Sequence, residues 1–552
     1  MDINGTSVYT NIGNTTNLNI EIMKKLTFIL LMAVSANNFG QSPDMNLSNL
    51  PSLDGEPHIA INPTNPNNII AGWMRYKISD GRKSIATKAS YDGGLSWGDT
   101  INYMLKDTSI NEAADVVIAF NNSGDAFLSC VYFRLDSGDI AGAIYLFKST
   151  DGGSTWGGPN RVIGLPDKPD YPFDRPWMTI DNSGGINDGT IYITTMSALL
   201  VTQQPGQVHI YLRSSADGGS TWSSIKQVDD SSHSAGSFKA PYGVMSVGGD
   251  GKLYIAYMSY DPPGNPLPRF YVATTSDMGN TFQRNLVTGY VLPGAGKLPF
   301  YTIAADPINS GHVILSWCDT RYDAKDILLS QSFDYGVTWS APVKINDDAP
   351  GFVQDQVWSA YSATGKFALA WRDRRMNDTS STSPFDIYTA VSLDGGTSFQ
   401  PNYRLSSTSY PNPSIPCCNS FNGLALTDSI LVTNWGGWSG SSWDIYFNKQ
   451  DISTITVGMK ENLSTNNDFN LQVFPNPANS ETIIQFTLPQ SQFIELKLFD
   501  TKGQEIKSLI NEKLINGNHS TTFDTKSLNP GIYLIILMTE STALAKKMIV
   551  IK

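Results

Sequence analysis

The sequence predicts an all-β protein: a β-propeller of seven blades, with six as the alternative, followed by a small C-terminal β-sandwich. Three observations carry this. An eight-residue pattern recurs six times at near-constant spacing. Short alternating or apolar runs, split by turn residues, precede each copy. Charged residues are only 16% of the 552, against 47 Gly, 30 Pro, 12 Trp, 24 Tyr and 24 Phe, a composition of short strands and tight turns.

The pattern reads Ser-Tyr-Asp-Gly-Gly-Leu-Ser-Trp at 90–97 and Ser-Thr-Asp-Gly-Gly-Ser-Thr-Trp at 149–156. It returns at 215–222, 275–282, 332–339 and 392–399, with aspartates Asp92, Asp151, Asp217, Asp277, Asp334 and Asp394 spaced 59, 66, 60, 57 and 60 residues apart. The aspartate can bond nearby backbone N–H groups. The glycine two residues on permits positive φ, and the terminal Trp or Phe can plug the core between sheets. The pattern is therefore a folding staple, not a catalytic motif. Before Asp92 lie three strand-like runs, 57–62, 68–73 and 84–90; before Asp394 lie 356–361, 366–371 and 386–392. One further strand after the staple completes a four-stranded unit of about 60 residues, a propeller blade. Residues 422–427, 429–435 and 443–448 repeat the first three strands without a staple, and 451–457 is the expected fourth.

The formal net charge is −12. No Lys/Arg run could neutralise phosphates, so a nucleic-acid partner is not expected. Met23-Lys24-Lys25, the apolar run 26–36 and small residues to Gln41 have the layout of a secretory signal peptide. Residues 1–22 then read as a disordered upstream extension. No later segment is long and apolar enough for a transmembrane helix. The four cysteines, Cys130, Cys318, Cys417 and Cys418, form neither a disulfide framework nor zinc-ligand spacing. A pairing of Cys318 with Cys417 or Cys418 and free buried thiols both stay open.

Blade topology sorts the polar residues. The staple joins the third and fourth strands on one face, so a site belongs on the other, at first-strand starts and second-to-third loops. First-strand starts hold Glu56 and His58, Glu112 and Asp115, Asp174 and Arg175, Lys239 and Tyr242, Tyr301 and Asp355. The second-to-third loops hold Arg75, Arg134, Asp319 with Arg321, and Asp373 with Arg375. The matched Trp-Cys-Asp-Thr-Arg (317–321) and Trp-Arg-Asp-Arg-Arg (371–375) read first as structural ion pairs. Between residues 53 and 458 the only glutamates are Glu56 and Glu112. Carboxylates gathered at one mouth suit acid–base work, cation binding or arginine pairing.

The repeated boxes resemble those of the sialidase-like superfamily, the bacterial neuraminidase repeats, over most of residues 53–458. The resemblance implies a propeller and a range of functions: sialidase, other glycoside hydrolase, polysaccharide lyase, or a binding protein without turnover. A sialidase would need three arginines on the sugar carboxylate, a tyrosine nucleophile with a glutamate, and an aspartate acid/base. The candidates are Arg75, Arg175, Arg321 and Arg375 for binding, and Glu56, Glu112, Asp174, Tyr242, Tyr301 and Asp355 for catalysis. The Arg-Ile-Pro segment of that family is missing; the chain reads Gly55-Glu56-Pro57-His58-Ile59. The first expectation is a secreted hydrolase acting on terminal acidic sugars of an extracellular glycan or glycoprotein. The alternatives are a glycan- or protein-binding propeller and a lyase with a Tyr/His pair, for which His58 and His233 come into question. No cofactor or catalytic metal is expected; calcium in Asp-rich loops would be structural.

Residues 469–552 resemble the C-terminal sorting domain of the type IX secretion system. The signature is Leu471-Gln472-Val473-Phe474-Pro475-Asn476-Pro477-Ala478, the Asn529-Pro530-Gly531 turn and the basic apolar tail 546–552. Alternating strands suggest a sandwich, and the polar stretch 459–468 reads as a linker. The resemblance implies passage across an outer membrane by the type IX machinery, followed by release or surface anchoring.

Overall fold

The structure is a computed structural model that describes residues 42–49, 52–77, 82–103, 112–134, 141–164, 167, 173–197, 208–236, 242–260, 267–292, 300–377, 379–380, 382–413, 422–457, 471–499, 505–539 and 543–551. The extension 1–22, the signal segment 23–41, the linker 459–468, Lys239, Cys417 and Cys418 lie outside the described residues, as does the side chain of Arg134. Cys130 and Cys318 are free, buried thiols. The chain divides into two units, one ending at Thr456 and one beginning at Val457.

Among its described residues the first unit is all β apart from one short helix. Five separate four-stranded sheets follow one another, each an antiparallel meander, with first strands Glu112–Phe120, Phe173–Ile180, Val244–Val247, Tyr301–Ala305 and Gln354–Tyr361. An eight-stranded sheet combines two further groups. One is the meander that opens with Leu53–Ile61; the other is Asn422–Leu426, Ile430–Trp438 and Trp443–Asp451. A single parallel bridge, Leu53 to Trp443, joins them. The first strands touch in sequence order around a closed circuit, and Asn422–Leu426 returns to Leu53–Ile61. Four-stranded sheets set around a ring of first strands are the arrangement of a propeller.

The ring closes differently from the sequence expectation. Residues 451–457, expected as the fourth strand of the last group, are not one: Asp451 ends the strand Trp443–Asp451 and the rest form a helix, Ile452–Val457. The fourth strand comes from the other end of the chain. Met45–Asn46 pairs antiparallel with Trp443–Asp451, with Met45 opposite Phe447 and Asn46 opposite Tyr446. Side chains reinforce the junction: Asn448 Nδ2 donates to Ser42 O (2.8 Å) and Asp44 (2.9 Å), and Asn46 Nδ2 donates to Asp444 (2.8 Å). With that edge taken, Ile452 and Ile455 bury at helical spacing instead.

Each staple folds as the sequence requires. Ser90 Oγ donates to Asp92 (2.8 Å) and accepts from Gly94 N–H (2.8 Å), while Asp92 accepts from Ser96 N–H (2.9 Å) and Ser96 Oγ. The same four contacts recur at Asp151, Asp217, Asp277, Asp334 and Asp394. In the first staple the second glycine is the more tightly confined: a Cβ on Gly94 would stand 2.7 Å from the Phe447 ring. At the first position Met278 (φ 57°) and Tyr335 (φ 66°) take the left-handed conformation without being glycine. Trp97 closes its box edge-to-face on Phe447, 5.0 Å between centroids, and so ties the first group of the eight-stranded sheet to the last. Trp73, Trp317, Trp371 and Trp435, from four second strands, are fully buried.

In the second unit, strands Gln472–Phe474, Glu481–Leu488 and Gly517–Asp524 form one sheet. Gln492–Phe499, Glu505–Leu514, Gly531–Thr539 and Ala543–Val550 form another. Alternate residues face a shared core that includes Ile484, Phe486, Leu496, Leu498, Ile535, Leu537 and Met548.

Candidate functional site

Four first strands carry the same irregularity near their starts. The pairing register slips between Gly55 and His58, Ala114 and Val117, Asp174 and Trp177, and Asp355 and Trp358. At each slip a non-glycine residue takes positive φ: Glu56 (52°), Asp115 (54°), Arg175 (51°) and Gln356 (55°). Such a conformation costs about 1–2 kcal/mol per residue. A β-bulge re-aims side chains, and strained backbone gathers at functional positions. Pro57 and Pro176 fit here because a proline within a strand belongs at a bulge.

These bulges bring Glu56, Asp115 and Arg175 into one pocket with Pro57, His58, Val116, Val117, Pro176, Trp177, Trp358 and Asn422. It opens to solvent, with about 340 Å³ of empty space including its open side. Trp177 and Trp358 stack at 5.1 Å and 27°, and His58 meets Trp358 edge-on at 5.8 Å. Behind them Tyr242 stacks on Tyr301 at 4.4 Å and 9°.

The electrostatics are those of crowded carboxylates. Asp115 hydrogen-bonds both Glu56 and Asp174. Burial, then the negative charge of Asp115, pushes Glu56 up to about 8 and Asp174 up to about 7, against the pull of Arg175. Arg175 itself is raised: the charges of Asp115, Asp174 and Glu56 outweigh its burial. Burial lowers His58 to about 4, so it is neutral at pH 7. Asn422 Nδ2 donates to the Gln356 carbonyl (3.0 Å), which orients the amide; its buried Oδ1 meets no donor among the described residues.

The remaining sequence candidates lie elsewhere. Glu112 pairs with Lys83 at 3.1 Å. Arg75 forks onto Asp54 (3.0 and 2.8 Å) and reaches Asn102 (3.0 Å). Arg321 binds Asp319 (2.8 Å) and Arg375 binds Asp373 (2.8 Å), with matching indole bonds from Trp317 and Trp371 to the same aspartates. The Trp-x-Asp-x-Arg repeat thus builds one loop-bracing motif twice. Asp355 is held by Arg372 (2.6 Å) and Arg374 (3.2 Å), and the two guanidinium charges keep its carboxyl well below the usual range despite burial. Tyr301 Oη donates to the Tyr242 carbonyl and accepts from the N–H of Tyr242 and Met258. Both tyrosines are buried, and burial raises both hydroxyls above their ordinary value. His233 sits against Asp230 at 2.9 Å.

The structure therefore gathers Glu56, Asp174 and Arg175. It does not bring Arg75, Arg321 or Arg375 to the pocket. Trp177, Trp358 and Asn422 were missing from the sequence candidates, and Asp115 was placed at the mouth without a role. The signal that could have found them is the pair of prolines inside first strands, Glu56-Pro57 and Arg175-Pro176. Among the described residues no group of three or more His, Cys, Asp or Glu is placed to hold a metal ion.

Residues 472–552 match the family model of the secretion system C-terminal sorting domain. That domain directs export by type IX secretion, to the extracellular space or the cell surface. No helix among the described residues is long and apolar enough to cross a membrane. No curated protein matches the sequence. Solved structures resemble the fold. One is a Hadza microbial sialidase, Hz136 (16% identity, 67% of this chain and 74% of that one, TM-score 0.43). Another is a protein of unknown function from Dyadobacter fermentans (13%, 74% and 98%, TM-score 0.41). A third is an α-L-arabinofuranosidase of Fusarium graminearum (11%, 75% and 99%, TM-score 0.41).

Proposed function

We propose that residues 45–457 form a seven-bladed, glycosidase-like propeller, exported to the cell surface or medium, that recognises a glycan terminus at the mouth described above. Seven blades follow from reading Met45–Asn46 as the outer strand of the last group. The recognition reading rests on one observation: the bulged first strands set carboxylates and a guanidinium, and Asn422 sets an amide, beside the stacked Trp177 and Trp358. Apolar faces with a few convergent polar groups are what a sugar ring requires.

A terminal acidic sugar is the less favoured ligand. Its carboxylate would need the three-arginine clamp, and Arg75, Arg321 and Arg375 are each engaged by an aspartate. Turnover stands as a second reading, favoured by Glu56 and Asp174, which hold protons near neutral pH and could protonate a leaving group. The test is a glycan array probed with the full chain, beside fluorogenic glycosides including a sialoside. We expect array binding that Glu56→Gln weakens. No binding and no turnover would sink the proposal; sialoside turnover would reinstate the acidic-sugar hydrolase.

A further inference from the structure

His58 is the first residue to regain its pairing after the Glu56–Pro57 bulge, and it stands opposite Gly72. A Cβ on Gly72 would lie 2.7 Å from Ile118 Cδ1, so the glycine lets the neighbouring first strand, Glu112–Phe120, close in. That approach brings Ile118 N–H to His58 Nδ1 at 3.3 Å. From the last group Asn434 Nδ2 donates to the His58 carbonyl (3.0 Å), and the ring meets Trp358 edge-on. Backbone, Nδ1 and ring are all held, and none of these contacts involves the carboxyl cluster. Nε2 is different. It forms no hydrogen bond with a described residue, and it is not among the described polar atoms shut away from solvent without a partner. His58 is partly exposed and lines the pocket, so Nε2 opens onto it.

A neutral imidazole carries one proton. Nδ1 accepts from Ile118, so that proton sits on Nε2. Burial lowers the ring to about 4 and keeps it neutral at pH 7. Nε2 is therefore a fixed donor. It cannot serve as a general base or a metal ligand, because either role needs a lone pair that this tautomer lacks there. Arg175 stands among the charges of Asp115, Asp174 and Glu56, which disfavours a ligand carboxylate. We propose that His58 Nε2–H selects and orients the ligand by donating to an uncharged oxygen, a hydroxyl or the ring oxygen, of a neutral terminal sugar. This rests on the glycan reading above and deepens it.

Two substitutions separate the two ring nitrogens. In His58→Asn the amide oxygen can stand in for Nδ1 and accept from Ile118, and nothing replaces Nε2. In His58→Gln the longer amide can reach the place of Nε2 as a donor, and the Ile118 bond is lost. The full chain and both variants are probed on a glycan array of neutral, acidic and amino-sugar termini, with thermal melts alongside. We expect the parent chain to bind neutral termini. His58→Asn should lose roughly tenfold in affinity at a melt close to the parent's, and His58→Gln should recover most of that binding at a lower melt. Nitrogen NMR of the histidine-labelled parent chain at pH 7 should show His58 protonated on Nε2, with that resonance shifted by a neutral oligosaccharide that bound on the array. Undiminished binding by His58→Asn, a proton on Nδ1, or an unmoved Nε2 resonance would each overturn the donor and leave glycan recognition standing. A melt of His58→Asn well below the parent's would pass the decision to that resonance. Binding confined to acidic termini would overturn the neutral sugar. No array binding by the parent chain would overturn both readings.

Discussion

Asp174 and Asp355 occupy the same register position in two first strands. Each is the last paired residue before a bulge, followed by a residue of positive φ, Arg175 in one strand and Gln356 in the other. Their chemistry is opposite. Asp355 meets Arg372 and Arg374 and stays ionised to low pH. Asp174 meets Asp115 of the neighbouring first strand and, buried beside it, is pushed up to about 7. Backbone position therefore does not assign the role. The difference lies in the partners supplied by the second strand and the neighbouring sheet: two arginines close one site, and a facing carboxylate leaves the other short of positive charge.

Breaking the closed site should have the largest effect. Asp355→Asn strands two buried guanidinium groups and should lower stability by about 3–5 kcal/mol, read by urea denaturation at pH 7. The folded carboxyl of Asp355 is depressed, so its contribution is present above the unfolded value and is lost as pH falls through the folded one. The variant and the parent chain should thus converge in strong acid. A neutral result at pH 7 would remove the contrast between the two sites.

Glu56→Gln should act with the opposite sign. Its folded value, about 8 against 4.5, is raised. Stability from that group is fully present below the unfolded value and is lost as pH rises through the folded one. The variant should therefore match the parent chain at pH 4 and exceed it by roughly 2–4 kcal/mol at pH 9. Asp174→Asn should show the same pH dependence at about 1–3 kcal/mol, because its rise is smaller. Both groups share Asp115, so the double variant should gain less than the sum of the two. Strict additivity would show that Asp115 does not couple them.

The smallest effect belongs to the staples. Asp277 accepts Thr281 N–H and Oγ1 in a loop near the surface, and these bonds hold it at about 2. Asp277→Ala should lower Tm slightly at pH 7. The deficit should vanish as pH falls from the unfolded value towards 2, because a depressed carboxyl contributes only above that window. A deficit that persists at pH 2 would mean that shape, not charge, closes the loop.

The staples were legible in the sequence because all their bonds fall within four residues of the aspartate. Short strands and their order were legible for a similar reason: alternation and turn residues are local. The candidate site was legible in part. Glu56, Asp174 and Arg175 stand where blade topology places a mouth. Arg321 and Arg375 stand in loops, as expected, while Arg75 lies within the strand Ile69–Lys77 rather than in a loop, and each turns to an aspartate that sequence patterning could not rank above a ligand. Glu112 was singled out by rarity and is held by Lys83, a neighbour 29 residues away.

The sequence by itself determined the repeat, its staples, the four-stranded unit and the sorting domain at the C-terminus. Each of these is written in contacts between near neighbours or in a contiguous signature. Only the tertiary structure decided how the ring closes and which charges meet. Met45 and Phe447 lie about 400 residues apart and pair because the last strand has a free edge that only the closed ring brings to the chain start. Glu56, Asp115 and Asp174 lie about 60 residues apart, one per first strand, and their carboxyl groups meet only when those strands stand side by side in the ring. Charge interactions depend on distance in space, which one-dimensional order does not fix.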